Sequence, residues 1–378
     1  MRAFTLALLC CASPAARAAD AILHIGPHKT GSTTLEAAVI MQPFVRNSLE
    51  EHDGFARTIR GIPGRFQGAK AHANLADALM SLDMDTHPAW AWFLAYAKKA
   101  ATEGRHIFVS SENLSVVPSE TNLRRLVALL ADDLGFHVRV VICYRWLFDK
   151  LPSVHSELYM AEYRPVTKVR DYRPIVDWIT EGNAHVSSRF HQTVRLREQW
   201  KRLGAAEVAV VDINRMSNAT SLVADFICNQ LRAAVTCGKM LARHGSLAIK
   251  NVRPRLLSPL YDIAYGVAAE QGVTTLDPQR AVKALQSFNL QTQVRIPTRC
   301  PTASQLERIW RATIYEEERL TISAPFGQRD ESSLRGNFEA RRSLLCSADV
   351  SAVLKMPEFT IPLAIAVQEA AVPQAATS

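Results

Sequence analysis

The feature that most constrains the fold is the stretch AILHIGPHKTGSTTL at residues 21–35. Its apolar start is typical of a strand, and the glycine-bounded turn that follows leads into a sequence typical of a helix. Glycines let the backbone turn so that successive amides face one point, and the first amides of a helix lack partners within it. Lys29 adds a mobile positive charge, and Thr33 and Thr34 add hydroxyl donors. The sequence therefore predicts a loop that binds phosphate or a similar anion, and we call residues 26–34 the phosphate loop.

Three further apolar runs predict strands: HIFVS at 106–110, HVRVVICY at 137–144 and EVAVVDI at 207–213. Between the first two of these runs, apolar side chains of residues 120–134 recur on one helical face, and Gly135 ends that pattern. Strands that are apolar throughout and alternate with helices predict a parallel sheet covered on both faces. We therefore expect an α/β fold, a three-layer sandwich of the kind that carries phosphate loops, with a C-terminal half rich in helix and loop.

The start of the chain has the composition of a secretory signal peptide. An early arginine, a short apolar run and a small-residue site at 16–18 follow one another. No later segment is apolar over the length that a membrane-spanning helix needs. The expected organisation is a signal peptide over 1–19, one domain over 20–358 with an irregular insertion carrying small helices at 43–105, and a disordered tail over 359–378.

Cysteine usage also indicates export. Two of the seven cysteines fall within the predicted signal peptide, and Cys143 lies in the apolar run of a predicted strand. The other four form an even set, for which we expect the disulfides Cys228–Cys237 and Cys300–Cys346. A metal site is the rival interpretation, but no CxxC pair and no cysteine–histidine spacing supports it.

The charge balance favours anionic partners. The chain has 44 Lys and Arg against 36 Asp and Glu, a formal net charge of +8. The basic residues are scattered, as in the pairs Arg124/Arg125 and Arg341/Arg342, and no basic tract with interleaved aromatic residues occurs. We therefore expect nucleotides or anionic glycans as partners and no nucleic acid.

The phosphate loop departs from that of nucleoside triphosphatases, G-x-x-x-x-G-K-[ST]. Gly26 and Gly31 have the required separation, but Ser32 stands where that motif has its lysine, and Lys29 precedes the second glycine. A lysine displaced in this way reaches a different phosphate oxygen. A nucleoside or sugar kinase is therefore the weaker interpretation of this loop.

The stretch PHKTGSTTL closely resembles the 5′-phosphosulfate loop of sulfotransferases, whose general form is P-K-[ST]-G-[ST]-T. Members of that family also carry an arginine at the end of a later strand and, eight positions on, a serine, both of which bind a 3′-phosphate. Here Arg145 follows HVRVVICY and Ser153 lies eight positions later; we call this pair the anion clamp. The resemblance implies 3′-phosphoadenosine 5′-phosphosulfate as donor, with no metal required. The residues that would bind it are His28, Lys29, Thr30, Gly31, Ser32, Thr33, Thr34, Arg145 and Ser153.

The resemblance implies transfer of a sulfuryl group to a hydroxyl. The predicted signal peptide, disulfides and net charge favour an exported, carbohydrate-directed branch of the family, with a glycan acceptor and a location in the Golgi lumen or outside the cell. The insertion at 43–105 would then line the acceptor side. A kinase that uses the same loop and a non-catalytic binder of sulfated or phosphorylated ligands remain as alternatives, and the binder would need no general base.

Sulfuryl transfer needs charge neutralisation on the leaving oxygen and a base for the acceptor hydroxyl. Lys29 suits the first role. Glu112 follows the second predicted strand at the carboxyl edge of the sheet, and is our candidate for the base. His72 in the insertion and Glu36 after the phosphate loop are rivals, although Glu36 falls early enough on its helix to face solvent instead. His155 lies near the anion clamp and is equally compatible with a packing role.

Overall fold

The structure is a computed structural model that describes residues 18–26, 32–57, 62, 64, 72–160, 167–181, 192–215, 219–242, 258–292, 295–321, 331–357, 364, 365, 367, 368, 370 and 371. The strands in this part of the chain are β1 (Asp20–His24), β2 (Ile107–Ser110), β3 (His137–Tyr144), β4 (Thr167–Lys168), β5 (Glu207–Asp212), β6 (Thr275–Leu276), β7 (Thr298–Arg299) and β8 (Ser347–Ala348).

A parallel sheet with the strand order β2-β1-β3-β5 forms the centre of the fold. The register places His24 beside Ser110 and Tyr144 beside Asp212, so the four strands end at one edge. The chain leaves β1 towards β2 on one side and leaves β3 towards β5 on the other. Connections that diverge in this way open a crevice at the carboxyl ends of the two inner strands, which is where such sheets bind ligands.

Helices surround the sheet. They span Ser32–Glu36, Pro43–His52, Ala73–Met80, Pro88–Thr102, Glu120–Ala128, Leu147–Met160, Ile175–Glu181, Gln192–Arg202, Ala219–Asp225, Ala234–Ala242, Ser258–Glu270, Pro278–Thr292, Ala303–Thr321, Glu331–Arg341 and Val350–Val353. Three of them continue with π geometry, over Ala37–Met41, Leu129–Asp133 and Phe226–Gln230. The expectation of an α/β fold is confirmed, and so are the four strands and the helix that begins at residue 120.

Successive residues of β1 point to opposite faces of the sheet, and each face has its own helical cover. Leu23 packs in a core that includes Phe93 and Leu126 from helices on one side. Ile22 packs in a second core with Leu35 and Phe226 from helices on the other side. Both faces of the inner strands are therefore dry, which explains why these strands are mostly apolar rather than alternating.

Both predicted disulfides are confirmed. Cys228 is bonded to Cys237 and Cys300 to Cys346, while Cys143 is a buried free thiol in β3. Disulfides of this kind are typical of compartments outside the cytosol. Among the described helices, none combines the length and hydropathy that crossing a bilayer requires.

Candidate functional site

The crevice lies where β1 and β3 end. One hydrogen bond beyond the strands, from Ile25 N to Val141 O at 3.0 Å, holds the chain against β3 up to the buried Gly26. The next helix begins at Ser32. The predicted ligands His28, Lys29, Thr30 and Gly31 lie outside the described residues, and so do the side chains of Ser32 and Thr33.

The anion clamp follows β3 directly. Arg145 Nη1 donates a hydrogen bond to Ser153 Oγ at 3.0 Å, and the Ser153 hydroxyl donates to the backbone oxygen of Asp149 at 3.2 Å. Arg145 comes immediately after the strand, and Ser153 lies on the second turn of the helix Leu147–Met160. The structure thus brings the two predicted residues together at the edge of the sheet where the phosphate loop starts.

Glu112 begins a 3₁₀ turn, Glu112–Val116, two residues after β2 ends. Its backbone oxygen accepts a hydrogen bond from Ser115 Oγ at 2.6 Å, and the preceding Ser111 N–H donates to His24 O at 2.9 Å. The Glu112 residue is half-buried. The backbone of Glu112 is thus held at the carboxyl edge of the sheet, and part of the residue is exposed to solvent.

Glu36 does not face solvent, so that interpretation is wrong. Only 1% of the residue is exposed, and its Oε1 accepts a hydrogen bond from Ser110 Oγ at 3.2 Å. The first helix packs its inner face on the sheet, which directs Glu36 towards the end of β2. Its carboxylate therefore lies beneath the crevice rather than on the accessible surface.

His72 is fully buried, and its Nδ1 lies 2.9 Å from the backbone N of Ser110. A backbone N–H only donates, so this nitrogen carries no proton, and the proton of the neutral ring is on Nε2. Neither nitrogen of that tautomer is ready to accept a proton, because Nδ1 is engaged and Nε2 is already protonated. The geometry disfavours His72 as a general base and makes it a structural acceptor for the end of β2.

A chain of hydrogen bonds connects β3, β1, β2 and the first helix. Burial, reinforced by the charge of Asp225, raises the pKa of the Cys143 thiol, which therefore keeps its proton. The thiol can donate to His24 Nε2 at 3.4 Å, which leaves the His24 proton on Nδ1 to donate to Ser110 Oγ at 2.8 Å. The Ser110 hydroxyl then donates to Glu36. Each hydrogen bond of this network is therefore donated in the same direction, from Cys143 towards Glu36.

This hydrogen-bond network differs from the triad of a serine hydrolase, in which the histidine lies between the serine and the acid. Here Ser110 is the central member and is fully buried, so its hydroxyl is not an exposed nucleophile. Sequence reasoning missed His24. The signal that could have found it is a lone polar residue inside the apolar strand AILHI.

His155 has a packing role. Its ring contacts the aromatic rings of Tyr159, Tyr172 and Trp178, and its Nε2–H donates to the backbone oxygen of Arg173 at 2.7 Å. Burial lowers the pKa of His155 to about 4. The imidazole is therefore neutral near pH 7 and has its proton committed to the backbone.

Within the part of the chain that the structure describes, no three His, Cys, Asp or Glu side chains are grouped as metal ligands. At the carboxyl edge of the sheet the described residues offer instead the half-buried Glu112 after β2 and the paired Arg145 and Ser153 after β3. Comparison with known proteins finds no family model, no curated protein and no solved structure that matches this chain.

Proposed function

We propose that the protein is a sulfotransferase that moves a sulfuryl group from 3′-phosphoadenosine 5′-phosphosulfate to a hydroxyl, in particular one on a glycan. The observation that carries the proposal is the 3.0 Å hydrogen bond from Arg145 Nη1 to Ser153 Oγ. A guanidinium fork beside a hydroxyl suits the oxygens of a phosphate monoester. The pair follows β3, and the phosphate loop follows the adjacent parallel strand β1, so the two candidate anion sites begin at neighbouring strand ends and suit a ligand with two separate anionic groups.

In this proposal the phosphate loop binds the 5′-phosphosulfate and the anion clamp binds the 3′-phosphate. The acceptor oxygen forms a bond to sulfur while the bond from sulfur to the bridging phosphate oxygen breaks. Lys29 neutralises the charge that develops on that leaving oxygen, and Glu112 takes the proton of the acceptor hydroxyl. The products are the sulfated acceptor and adenosine 3′,5′-bisphosphate.

The proposal also names a glycan as the acceptor and the secretory pathway as the location of the protein. The net charge of +8 supports an anionic acceptor, and the two disulfides support an oxidising compartment. The signal peptide over 1–19 and an acceptor side formed by residues 43–105 belong to the same proposal.

The binding test compares adenosine 3′,5′-bisphosphate with 5′-AMP by calorimetry, on wild type and on Arg145→Ala. We expect the variant to lose about 2 kcal/mol of bisphosphate affinity, the usual worth of a hydrogen bond to a charged group, and to bind 5′-AMP almost unchanged. Arg124→Ala removes the same charge from an exposed helical position and is the matched control. Equal weakening for both nucleotides in Arg145→Ala would mean that Arg145 does not recognise the 3′-phosphate.

The activity test uses a donor with radiolabelled sulfate and a panel of glycan acceptors. Wild type is expected to transfer the label, and Lys29→Ala is expected to lose most of this activity. Donor binding without transfer to any acceptor would favour the non-catalytic binder. Transfer of phosphate from ATP in place of sulfate would favour the kinase.

Replacement of Glu112 by glutamine tests the assignment of the base. Glu112→Gln keeps the shape of the side chain but cannot take a proton, so turnover should fall by roughly two to four orders of magnitude while donor affinity is retained. Glu36→Gln changes a buried carboxylate that is bonded to Ser110 and serves as the comparison. Near-normal turnover in Glu112→Gln together with an inactive Glu36→Gln would place the base on the first helix.

A further inference from the structure

Arg341, at the end of the helix Glu331–Arg341, contacts the segment that connects the two members of the anion clamp. Its Nη1 forms an ion pair with the Asp149 carboxylate, and its guanidinium carbon lies 5.3 Å from the centre of the Trp146 ring. Asp149 is almost completely buried, while about a third of the Arg341 side chain is exposed. A buried carboxylate needs such a partner, because an uncompensated charge in the interior is strongly unfavourable.

Each of these two contacts leads directly to one member of the clamp. The backbone oxygen of Asp149 accepts the hydrogen bond of the Ser153 hydroxyl at 3.2 Å and so fixes its orientation. Trp146 is the residue next to Arg145, so the position of its ring and backbone decides where the Arg145 side chain starts. Arg341 therefore contacts the supports of both Arg145 and Ser153.

Trp146 is held on its other sides as well. Its backbone N–H donates to Asn214 Oδ1 at 2.9 Å, and its indole Nε1–H donates to Glu317 Oε1 at 3.1 Å. The ring also stacks on Phe148, with the ring centres 5.3 Å apart. The hydrogen bonds hold the backbone and the indole N–H of Trp146, and Arg341 lies over the face of its ring. Arg341 therefore restricts movement of the ring out of its plane.

The first turns of the helix Leu147–Met160 contain a proline. Pro152 lies inside the helix Leu147–Met160 and has no N–H to donate to the preceding turn. The turn that lies between Arg145 and Ser153 consequently lacks one backbone hydrogen bond. The ion pair of Asp149 with Arg341 bridges this weakened turn to another helix.

We infer that Arg341 is a positioning residue of the anion clamp. It sets the spacing between Arg145 and Ser153, and through that spacing the affinity for a phosphate monoester, without contacting the ligand. The inference rests on the proposed function for the identity of the anion, the 3′-phosphate of the donor. The spacing itself follows from contacts within the chain.

The experiment measures the affinity for adenosine 3′,5′-bisphosphate and for 5′-AMP in full-length wild type, Arg341→Ala, Arg341→Gln and Arg342→Ala. A clamp that is displaced but not removed loses part of the worth of a hydrogen bond to a charged group, so we expect both Arg341 variants to bind the bisphosphate roughly tenfold more weakly. Affinity for 5′-AMP should change by less than about twofold. Arg342 pairs with Glu339 on the surface and is the matched control, for which both affinities should be unchanged. Arg341→Gln removes the charge but keeps part of the aliphatic stem and an amide that can donate hydrogen bonds, and it supplies the answer if Arg341→Ala does not fold.

A loss of overall stability alone would weaken the binding of both nucleotides by the same factor. The ratio of the two affinities therefore separates positioning from a general structural role. If the ratio of the two affinities in the Arg341 variants is the same as in wild type, the inference is overturned. If the wild type discriminates between the nucleotides and Arg145→Ala abolishes that discrimination, the proposed function stands even where the Arg341 variants fail to follow. If the wild type binds both nucleotides equally, the 3′-phosphate site and the role of Arg341 both fall.

Discussion

Two adjacent serines at the end of β2 show how much a single hydroxyl depends on its surroundings. The Ser110 hydroxyl lies between His24 and Glu36, and the Ser110 N–H donates to His72. The neighbouring Ser111 is equally buried, but within the described part of the chain its Oγ has no hydrogen-bond partner. The same side chain is therefore an essential connector at one position and an unsatisfied polar group at the next.

We expect Ser110→Ala to lower the free energy of unfolding by about 1–3 kcal/mol, because it leaves buried donors and acceptors of His24 and Glu36 without the central hydroxyl. Ser111→Ala removes a buried hydroxyl that makes no hydrogen bond within the described residues, so the stability of this variant should be unchanged or slightly increased. Urea unfolding of the two variants beside wild type measures both effects. An equal loss in the two variants would contradict the hydrogen-bond chain assigned to Ser110.

The sequence predicts some of these residues and not others, for physical reasons. Arg145 and Ser153 are predictable because their spacing is local and both follow one strand. The burial of Glu36 and the tautomer of His72 depend on partners that lie 74 and 38 residues away in the chain. Such pairings follow from the strand order, which no local pattern contains.

At the scale of elements, β1, β2 and β3 are the predictable part because they are buried on both faces of the sheet and are therefore mostly apolar. The helix Pro88–Thr102 is different: it has 15 residues and lies in a segment for which we expect irregular structure with small helices. Its sequence PAWAWFLAYAKKAAT is apolar or small almost all round, so it lacks the stripe that identifies an amphipathic helix. The side of this helix that meets solvent includes Ala91 and Ala95, which are small rather than charged, so these positions give no polar signal in the sequence.

The two disulfides connect elements that lie at different distances along the chain. Cys300–Cys346 lies beside the pairing of β7 with β8 and encloses the helices Ala303–Thr321 and Glu331–Arg341. Cys228–Cys237 joins the π turn Phe226–Gln230 to the helix that follows it. The first bond closes a loop with a sequence separation of 46, and the second closes one with a separation of 9.

Replacing both cysteines of Cys300–Cys346 by serine should destabilise the protein by about 4 kcal/mol, against about 3 kcal/mol for Cys228–Cys237. The difference arises because a longer closed loop removes more conformational entropy from the unfolded chain. Chemical unfolding of the two double variants without reductant measures each loss. The reverse order of stabilities would show that native-state contacts around the short loop, rather than loop length, determine the result.

At the scale of the whole molecule, buried ionisable groups make opposing contributions to the dependence of stability on pH. Burial lowers the pKa of His155 from 6.5 to about 4, so between these values the unfolded chain binds more protons and stability rises with pH. Burial raises the pKa of Asp262 from 3.8 to about 6, although Tyr172 donates a hydrogen bond to it. Burial also raises the pKa of Glu316. For both acids the folded chain binds more protons, so their contribution falls as pH rises.

Removing one of these opposing groups should therefore change the slope of stability against pH. His155→Phe retains a ring among its aromatic neighbours but removes the group whose contribution rises with pH, so the stability of the variant should fall more steeply than that of wild type between pH 4 and 6.5. The difference between the two free energies of unfolding should change by about 3 kcal/mol across that range, as expected for a pKa displaced by this amount. The lost hydrogen bond to Arg173 adds an offset that does not depend on pH. Asp262→Asn is a control with the opposite sign, because it removes a group whose contribution to stability falls as pH rises. The difference in free energy of unfolding between this variant and wild type should therefore increase with pH. Urea unfolding at a series of pH values gives all three profiles, and parallel curves for wild type and His155→Phe would show that His155 titrates alike in the folded and unfolded chains.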